Sequence, residues 1–367
     1  MLNLPEAQAT LPALVSGDLH AIGVRLAATG LVTQVPGPGM LQVLHAPAAV
    51  TAEAEPEAKV AAEIGAPPRL RLLISVGIHG NETAPIDMMA QVLDTLLAAL
   101  VQAPACLAPD LLLVVGNPDA IALASRFVDA DLNRLFTAER GMLANAREAA
   151  RADAIMEASA AFFDAPGHSA RWHLDLHSAI RPSRYARFAV IPADGGDETQ
   201  APLIAWLGSA GIEAVMFNSQ RATTFSAFTA QRFQASSCTV ELGQAGVLGQ
   251  HPPDQLQQTR TAILNLLQGQ VVLSGSTEPV RFRVAQEIIK CSDAFQLMHD
   301  GAMHNFTALP PHAVIATDGD MVHRVGPVTE YMVFPNPKVL VGQRAGLMVV
   351  RADPPSPQHA TITAAGQ

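Results

Sequence analysis

From Ala84 onward, apolar side chains return with a helical period. Ile86, Met89, Ala90, Leu93, Leu96, Leu97 and Leu100 fall on one face at 3.6-residue spacing. Pro85 stands in the first turn, where its missing N–H costs nothing. Just upstream, residues 70–77 (LRLLISVG) read as a buried strand and residues 77–83 (GIHGNET) as a glycine-punctuated loop. Strand-type runs recur at 111–116, 172–177, 187–192, 212–217 and 238–243, and helical patterns cover 139–163, 198–210 and 254–268. Strands alternating with helices predict an α/β fold with a largely parallel sheet flanked by helices. Segment 117–137 has no helical period and reads as a long functional loop.

Beyond about residue 270 the helical period fades. Short β-type runs at 281–289, 312–317 and 331–341, separated by turn signals, predict a smaller β-rich C-terminal domain over 271–367, behind an α/β domain over 1–270. Residues 1–66 read as a weakly patterned lead-in, in which 52–59 (AEAEPEAK) is an exposed excursion.

The length of 367 residues agrees with about two domains, at roughly 150 residues each. With 49% apolar and 15% charged residues the chain can bury a full core. A formal net charge of −10 argues against a general nucleic-acid binder, which needs a basic surface. The cations are twenty arginines against three lysines, a compositional bias that makes any single arginine less informative. Cys106, Cys238 and Cys291 lie far apart without a CxxC, as expected of a reducing, cytoplasmic compartment. The first residues show no signal-peptide pattern, and no segment has the ~20 consecutive apolar residues of a membrane span, so no membrane partner is expected.

Candidate chemistry gathers at strand ends: His79-x-x-Glu82, His177 at the end of WHLDLH (172–177), and Glu241 within CTVELG (238–243). Open α/β sheets bind ligands in the crevice at the carboxyl ends of their strands. A catalytic zinc takes three protein ligands and keeps one position open. Two imidazoles and one carboxylate leave positive charge on the ion, which lowers the pKa of a bound water toward ~7 and polarises a carbonyl. His79, Glu82 and His177 are therefore candidate ligands for one zinc ion per chain. The competing reading is a loop histidine beside a glutamate that is favourable at a helix N-terminus.

Strand alternation puts His173, Asp175 and His177 on one face. His173 reads as structural, and Asp175 as the carboxylate that orients a ligating imidazole through its other N–H. Glu241 is the candidate general base, against the reading of an ordinary strand-end glutamate. Cys238 falls on the opposite face and reads as a buried small hydrophobe. The loop GNPDAIALASRFVDADLNRLF (116–136) carries Arg126, Asp131, Asn133 and Arg134; guanidinium forks suit carboxylates and a developing oxyanion, and solvated loop arginines are the alternative. Arg181 and Arg184 raise the same question.

GIHGNETAP (77–85), the SRFVDADLNRLF loop, WHLDLHSAIR (172–181), CTVELG (238–243) and EYMVFPNPKVLVGQRAGLMV (330–349) together, in this order, resemble the succinylglutamate desuccinylase family in the aspartoacylase branch of the zinc carboxypeptidase clan. The resemblance runs from about residue 70 to about 350. It implies a carboxypeptidase-like mixed sheet flanked by helices with a β-rich C-terminal domain. It further implies zinc on His79, Glu82 and His177, Glu241 as catalytic glutamate, Arg126 polarising the scissile carbonyl, and Asn133 with Arg134 on a substrate carboxylate. The implied reaction is hydrolysis of the small molecule N-succinyl-L-glutamate to succinate and L-glutamate, the last step of arginine degradation by the succinyl route. Such a substrate carries three carboxylates, and Arg181, directly after the DLH strand, is a candidate for a second one. Where the family tends to read ELGK this chain reads ELGQ, with Gln244 in place of a cation. The rival expectations are a hydrolase of another N-acyl amino acid, aspartoacylase-like, and a non-hydrolytic zinc-binding homologue that holds an anionic ligand.

Overall fold

A computed structural model of the chain describes residues 10–45, 69–103, 107–166, 168–179, 181–193, 198–220, 222–252, 254–270, 277–298 and 303–352. The 52–59 excursion and Cys106 lie outside the described residues. The expected elements form. They are β3 (Arg69–Val76), α3 (Ala84–Gln102), β4 (Asp110–Val115), α5 (Arg147–Phe163), β5 (His168–Ala179), β6 (Arg187–Ile191), α6 (Ala201–Ser209), β7 (Ala214–Phe217), β8 (Ser236–Gln244) and α8 (Gln257–Leu267). Four elements of the lead-in, α1 (Thr10–Ser16), α2 (His20–Ala27), β1 (Val32–Gly37) and β2 (Met40–Leu44), are more structure than its weak pattern predicts. So is α7 (Phe225–Phe233). The loop 117–137 contains the short helix α4 (Pro118–Ala122) and a 3-10 turn at Leu132–Arg134.

Strands β3 and β4 are apolar with little alternation because both of their faces are covered, and β5 and β8 alternate apolar residues with buried polar ones. Leu72, Ile74, Val76, Leu174, Leu176, Cys238 and Val240 pack against α3 and α8. Leu73, Leu112 and Val114 pack on the other face against Phe162, Phe163, Phe225 and Phe233 of α5 and α7. Cys238 is thus a core residue, its thiol pushed far up by burial. Helix α3 has 19 residues and a mean hydropathy of 1.5, the measure of a membrane span, yet its Ile86, Met89, Leu93, Leu96 and Leu100 are buried within the protein.

Twelve strands form one sheet in the order β1-β2-β4-β3-β5-β8-β6-β7-β9-β15-β14-β11, in which β9 is Val280–Ile289, β11 Thr307–Leu309, β14 Glu330–Val333 and β15 Arg344–Arg351. Strands β4, β3, β5 and β8 run parallel. The sheet is mixed, as the resemblance implies: β1–β2–β4 and β9–β15–β14–β11 pair antiparallel, and within the α/β part β6 lies antiparallel to β8. The cause is the connection: residues 180–186 between β5 and β6 are too few for the crossover of a dozen or more that a parallel neighbour needs. Strand β9 pairs in parallel with β7, so one sheet runs through the α/β part and the β-rich part. The strands β10 (Phe295–Leu297), β12 (Val314–Asp318) and β13 (Met321–Arg324) form a separate three-stranded sheet.

Two boundaries move for visible reasons. The helix expected from residue 139 starts at Arg147, because Gly141 takes φ 53° and Ala146 is extended with ψ 148°. The strand expected over 331–341 ends at Val333, because Phe334 takes φ 55° and Pro335 and Pro337 cannot donate to a ladder.

Candidate metal centre and substrate crevice

The loop after β3 and the end of β5 meet because β3 and β5 are hydrogen-bonded parallel neighbours, with Val76 opposite Leu176. This brings His79, Glu82 and His177 together, their ligand atoms all within 4.8 Å of one another and all three residues buried. Glu82 sits between the imidazoles: Oε1 is 2.8 Å from His79 Nδ1 and Oε2 2.8 Å from His177 Nδ1. Glu82 Oε2 also accepts from the Ser178 backbone N–H (3.1 Å), and Oε1 from Arg126 Nη1 (3.0 Å). Burial works against its charge, but His79 and His177 outweigh it and hold the carboxyl well below the usual range.

Each imidazole turns Nδ1 to Glu82 and Nε2 to a second carboxylate. His79 Nε2 lies 3.0 Å from Asp131 Oδ1, and His177 Nε2 lies 3.0 Å from Asp175 Oδ2. Burial lowers the His177 pKa, and Asp175 with Glu82 reverses that, so it stands well above the ordinary value. Two imidazoles and a carboxylate with fixed outer partners are the donor set of a divalent cation such as zinc.

Glu241 faces this group. Parallel pairing of β5 with β8 sets Glu241 opposite His177, so their side chains share a face. Glu241 is 8% exposed, and its Oε2 has no hydrogen-bond partner among the described residues. Burial, then the charge of Glu82, push its pKa up to about 7, against His177, His79 and Arg126.

Residues 68–269 match the family model described as the succinylglutamate desuccinylase/aspartoacylase catalytic domain, and residues 277–352 the AstE/AspA barrel-sandwich hybrid domain. The chain belongs to the succinylglutamate desuccinylase/aspartoacylase family. It is 41% identical over 283 residues to a succinylglutamate desuccinylase of Burkholderia orbicola (strain AU 1054), covering 77% of this chain and 81% of that one. A succinylglutamate desuccinylase of Erwinia tasmaniensis is 39% identical over 284 residues, 76% of this chain and 84% of the other. Among solved structures, the succinylglutamate desuccinylase of Chromobacterium violaceum shares 30% identity with a TM-score of 0.71, covering 91% of this chain and 98% of that one. That of Vibrio parahaemolyticus gives a TM-score of 0.72 at 28% identity, over 90% of this chain and 95% of the other.

Within this desuccinylase/aspartoacylase-family site, the arginine loop is tied to the centre by Asp131. Its carboxylate holds His79, accepts from Arg126 Nη2 (3.4 Å) and caps the 3-10 turn through the Asn133 N–H (2.9 Å). Burial opposes its charge, but His79, Arg134 and Arg126 keep the carboxyl far below its usual range. Its place two residues before Asn133 is a capping signal visible in the sequence. Asp131→Asn lowers metal affinity by roughly 10- to 100-fold, as read by competition with a chromophoric chelator. An unchanged affinity sinks that role.

A second overlooked carboxylate shapes the same loop. Glu148, buried on α5, accepts from the backbone N–H groups of Val128 (2.7 Å), Asp129 (3.1 Å) and Ala130 (3.0 Å) and from Asn117 Nδ2 (3.3 Å).

The expected substrate residues are spread around this centre. Asn133 is buried, its Oδ1 accepting from the Phe225 N–H (2.9 Å) and its Nδ2 3.4 Å from His177 Nε2. Arg134 is exposed and donates to the Asn133 carbonyl (3.0 Å). Arg181 is partly buried beyond the end of β5, and Gln244 stands exposed at the end of β8.

Beneath the site, Asp175 is part of a buried chain. Ser75 Oγ donates to Asp175 Oδ1 (2.6 Å), so Ser75 accepts from His173 Nε2 (2.9 Å), and His173 Nδ1 lies 2.8 Å from Thr229 Oγ1. His173 is fully buried and held neutral. Burial pushes its pKa down to about 4, against Asp175 and with help from His177. The unfolded chain takes up this proton near pH 6.5 and the folded chain near pH 4. His173 therefore removes up to about 3 kcal/mol of stability as the pH falls between those values, and contributes no pH dependence above them. Denaturant unfolding at pH 7 and pH 4.5 tests this: the loss on acidification is smaller in His173→Asn, and an equal loss in both proteins refutes it.

Proposed function

We propose that this chain is a zinc-dependent amidohydrolase that converts N-succinyl-L-glutamate to succinate and L-glutamate, with one Zn2+ per chain. The observation that carries the hydrolytic reading is Glu241, a buried carboxylate with an unpartnered oxygen, facing a two-histidine, one-glutamate donor set. The substrate comes from the relatives, which are named succinylglutamate desuccinylases at about 40% identity.

His79, Glu82 and His177 would hold the ion, which supplies Lewis acidity to the attacking water and to the scissile carbonyl. Glu241 takes the proton of that water as general base. Burial favours its protonated form, which suits it to return the proton to the departing amide nitrogen. Arg126, a third exposed and hydrogen-bonded to Glu82, directs a guanidinium at the oxyanion that forms on the carbonyl. Asn133 and Arg134 bind one substrate carboxylate and Arg181 another. Asp175 and Asp131 keep the imidazoles oriented. All of these residues precede residue 270, so we assign the metal and base chemistry to residues 1–270 and treat 271–367 as the β-rich C-terminal domain.

The test is release of L-glutamate from N-succinyl-L-glutamate by zinc-loaded protein, with N-acetyl-L-aspartate alongside. Preferential turnover of the succinyl substrate supports the reading. Turnover of the acetyl substrate alone moves the chain to the aspartoacylase-like alternative, and binding of either without turnover makes it a non-hydrolytic homologue.

A further inference from the structure

One carboxylate holds the stretch of chain between two residues of the centre. Arg126 and Asp131 stand at the ends of that stretch, and the backbone N–H groups of Val128, Asp129 and Ala130 lie between them. All three donate to Glu148 of α5: Val128 and Asp129 to Oε1 (2.7 and 3.1 Å), Ala130 to Oε2 (3.0 Å). Asn117 Nδ2 donates to the same Oε1 (3.3 Å), while its own Oδ1 accepts from the Ala120 N–H (3.2 Å) and caps α4. Glu148 is 2% exposed, so the loop wraps a carboxylate nearly sealed from water. Successive amides on one buried anion make charge-assisted bonds, which fix a backbone more firmly than bonds to a neutral acceptor.

Both ends of the held stretch reach the metal centre. Arg126 Nη1 donates to Glu82 Oε1 (3.0 Å), and the Arg126 carbonyl accepts from the Gly80 N–H (3.2 Å), next to His79. Asp131 Oδ1 lies 3.0 Å from His79 Nε2. Gly80 packs so closely on α4 that a Cβ there would stand 2.1 Å from the Ala120 carbonyl carbon, which leaves the two loops no room to slide. The Arg126 side chain is a third exposed, so the placement of its backbone sets where the guanidinium can point.

We propose that Glu148 is a positioning residue: by fixing the 128–130 backbone it sets Arg126 toward the oxyanion and Asp131 on His79. This rests on the hydrolytic reading above and extends it to a carboxylate whose partners are backbone N–H groups and Asn117.

Glu148→Gln tests it. The amide keeps the size and one oxygen of the carboxyl but turns an NH2 toward backbone donors, so part of the cradle is lost. The kcat for N-succinyl-L-glutamate falls roughly tenfold to a hundredfold. The same substitution in an Arg126→Gln background costs less than about threefold, because the group it positions is already gone. Zinc affinity, read by competition with a chromophoric chelator, falls at least about threefold in Glu148→Gln and by less than that where Asp131→Asn is already present. Glu330→Gln is the control for a general loss of stability. Glu330 is 4% exposed in the C-terminal unit and accepts from the Gly326 N–H (2.8 Å) and Gln286 Nε2 (2.7 Å), and its variant keeps kcat within about threefold. Equal kcat losses with and without Arg126→Gln, an unchanged zinc affinity, or the same kcat loss in Glu330→Gln at a matched melting temperature overturn the proposal. If Glu148→Gln does not fold, Glu148→Asp, which keeps the charge but draws it back from the amides, carries the same comparisons. A protein that shows the zinc-affinity pattern yet hydrolyses no N-acyl amino acid keeps the loop anchor and overturns the hydrolytic reading.

Discussion

Glu241→Gln protein folds and binds its metal at wild-type affinity, yet hydrolyses N-succinyl-L-glutamate on the order of 10²- to 10⁴-fold more slowly. The amide is the size of the carboxyl and fills the same buried space, but it can neither take a proton from water nor return one to the leaving nitrogen. Glu241 contributes no ligand atom to the His79–Glu82–His177 group, so metal content separates a lost base from a lost centre. The raised pKa has burial as its largest cause, with the neighbouring charge of Glu82 next. The substitution therefore removes a costly buried acid, and the melting temperature holds or rises while activity collapses. A variant that keeps more than about a tenth of wild-type kcat at full metal content would falsify the assignment of the base.

Chelation of the metal abolishes turnover, and one equivalent of zinc per chain restores it. The metal-free protein stays folded, because the centre has internal partners: Glu82 accepts from Ser178 and Arg126 as well as facing both imidazoles. Asp175 and Glu82 raise the His177 pKa well above its ordinary value, so the metal-free protein carries a proton there near neutral pH. A cation needs the imidazole neutral, so binding expels that proton, and affinity falls as the pH drops. Calorimetry in buffers of different ionisation enthalpy reads release of about one proton per zinc near pH 7. At free zinc a thousandfold above its Kd, the folded state gains about 4 kcal/mol, visible as a rise in melting temperature. Binding without proton release contradicts the ion-pair geometry, and undiminished turnover after complete metal removal contradicts the mechanism.

The parts of this protein legible in its sequence are those fixed by local spacing. Continuous apolar runs marked β3 and β4, whose two faces are both buried, and β5 and β8 showed an alternation of apolar and polar residues. The candidate ligands were legible because His79 and Glu82 lie in the glycine-punctuated loop after one strand run and His177 ends another. Alternation alone set His173, Asp175 and His177 on one face and Cys238 opposite Glu241.

Other features depend on contacts between distant segments, and no local pattern encodes those. Helices α1 and α2 are too short to show a clear period, and Leu14, Ile22 and Leu26 are buried in a core shared with α3. The reversal of β6 follows from the short connection 180–186 and the strand it lands beside. The second carboxylate of the centre, Asp131, reaches His79 across more than fifty residues of sequence through the loop that Glu148 holds. Continuation of the sheet from β7 into β9 and β15 joins the C-terminal strands to the α/β part. The sequence thus determined which side chains are available for metal and base chemistry, because strand and helix periods are local properties of the chain. Only the tertiary structure decided which carboxylates orient the ligands, because those neighbours are set by strand order and by packing across the sheet.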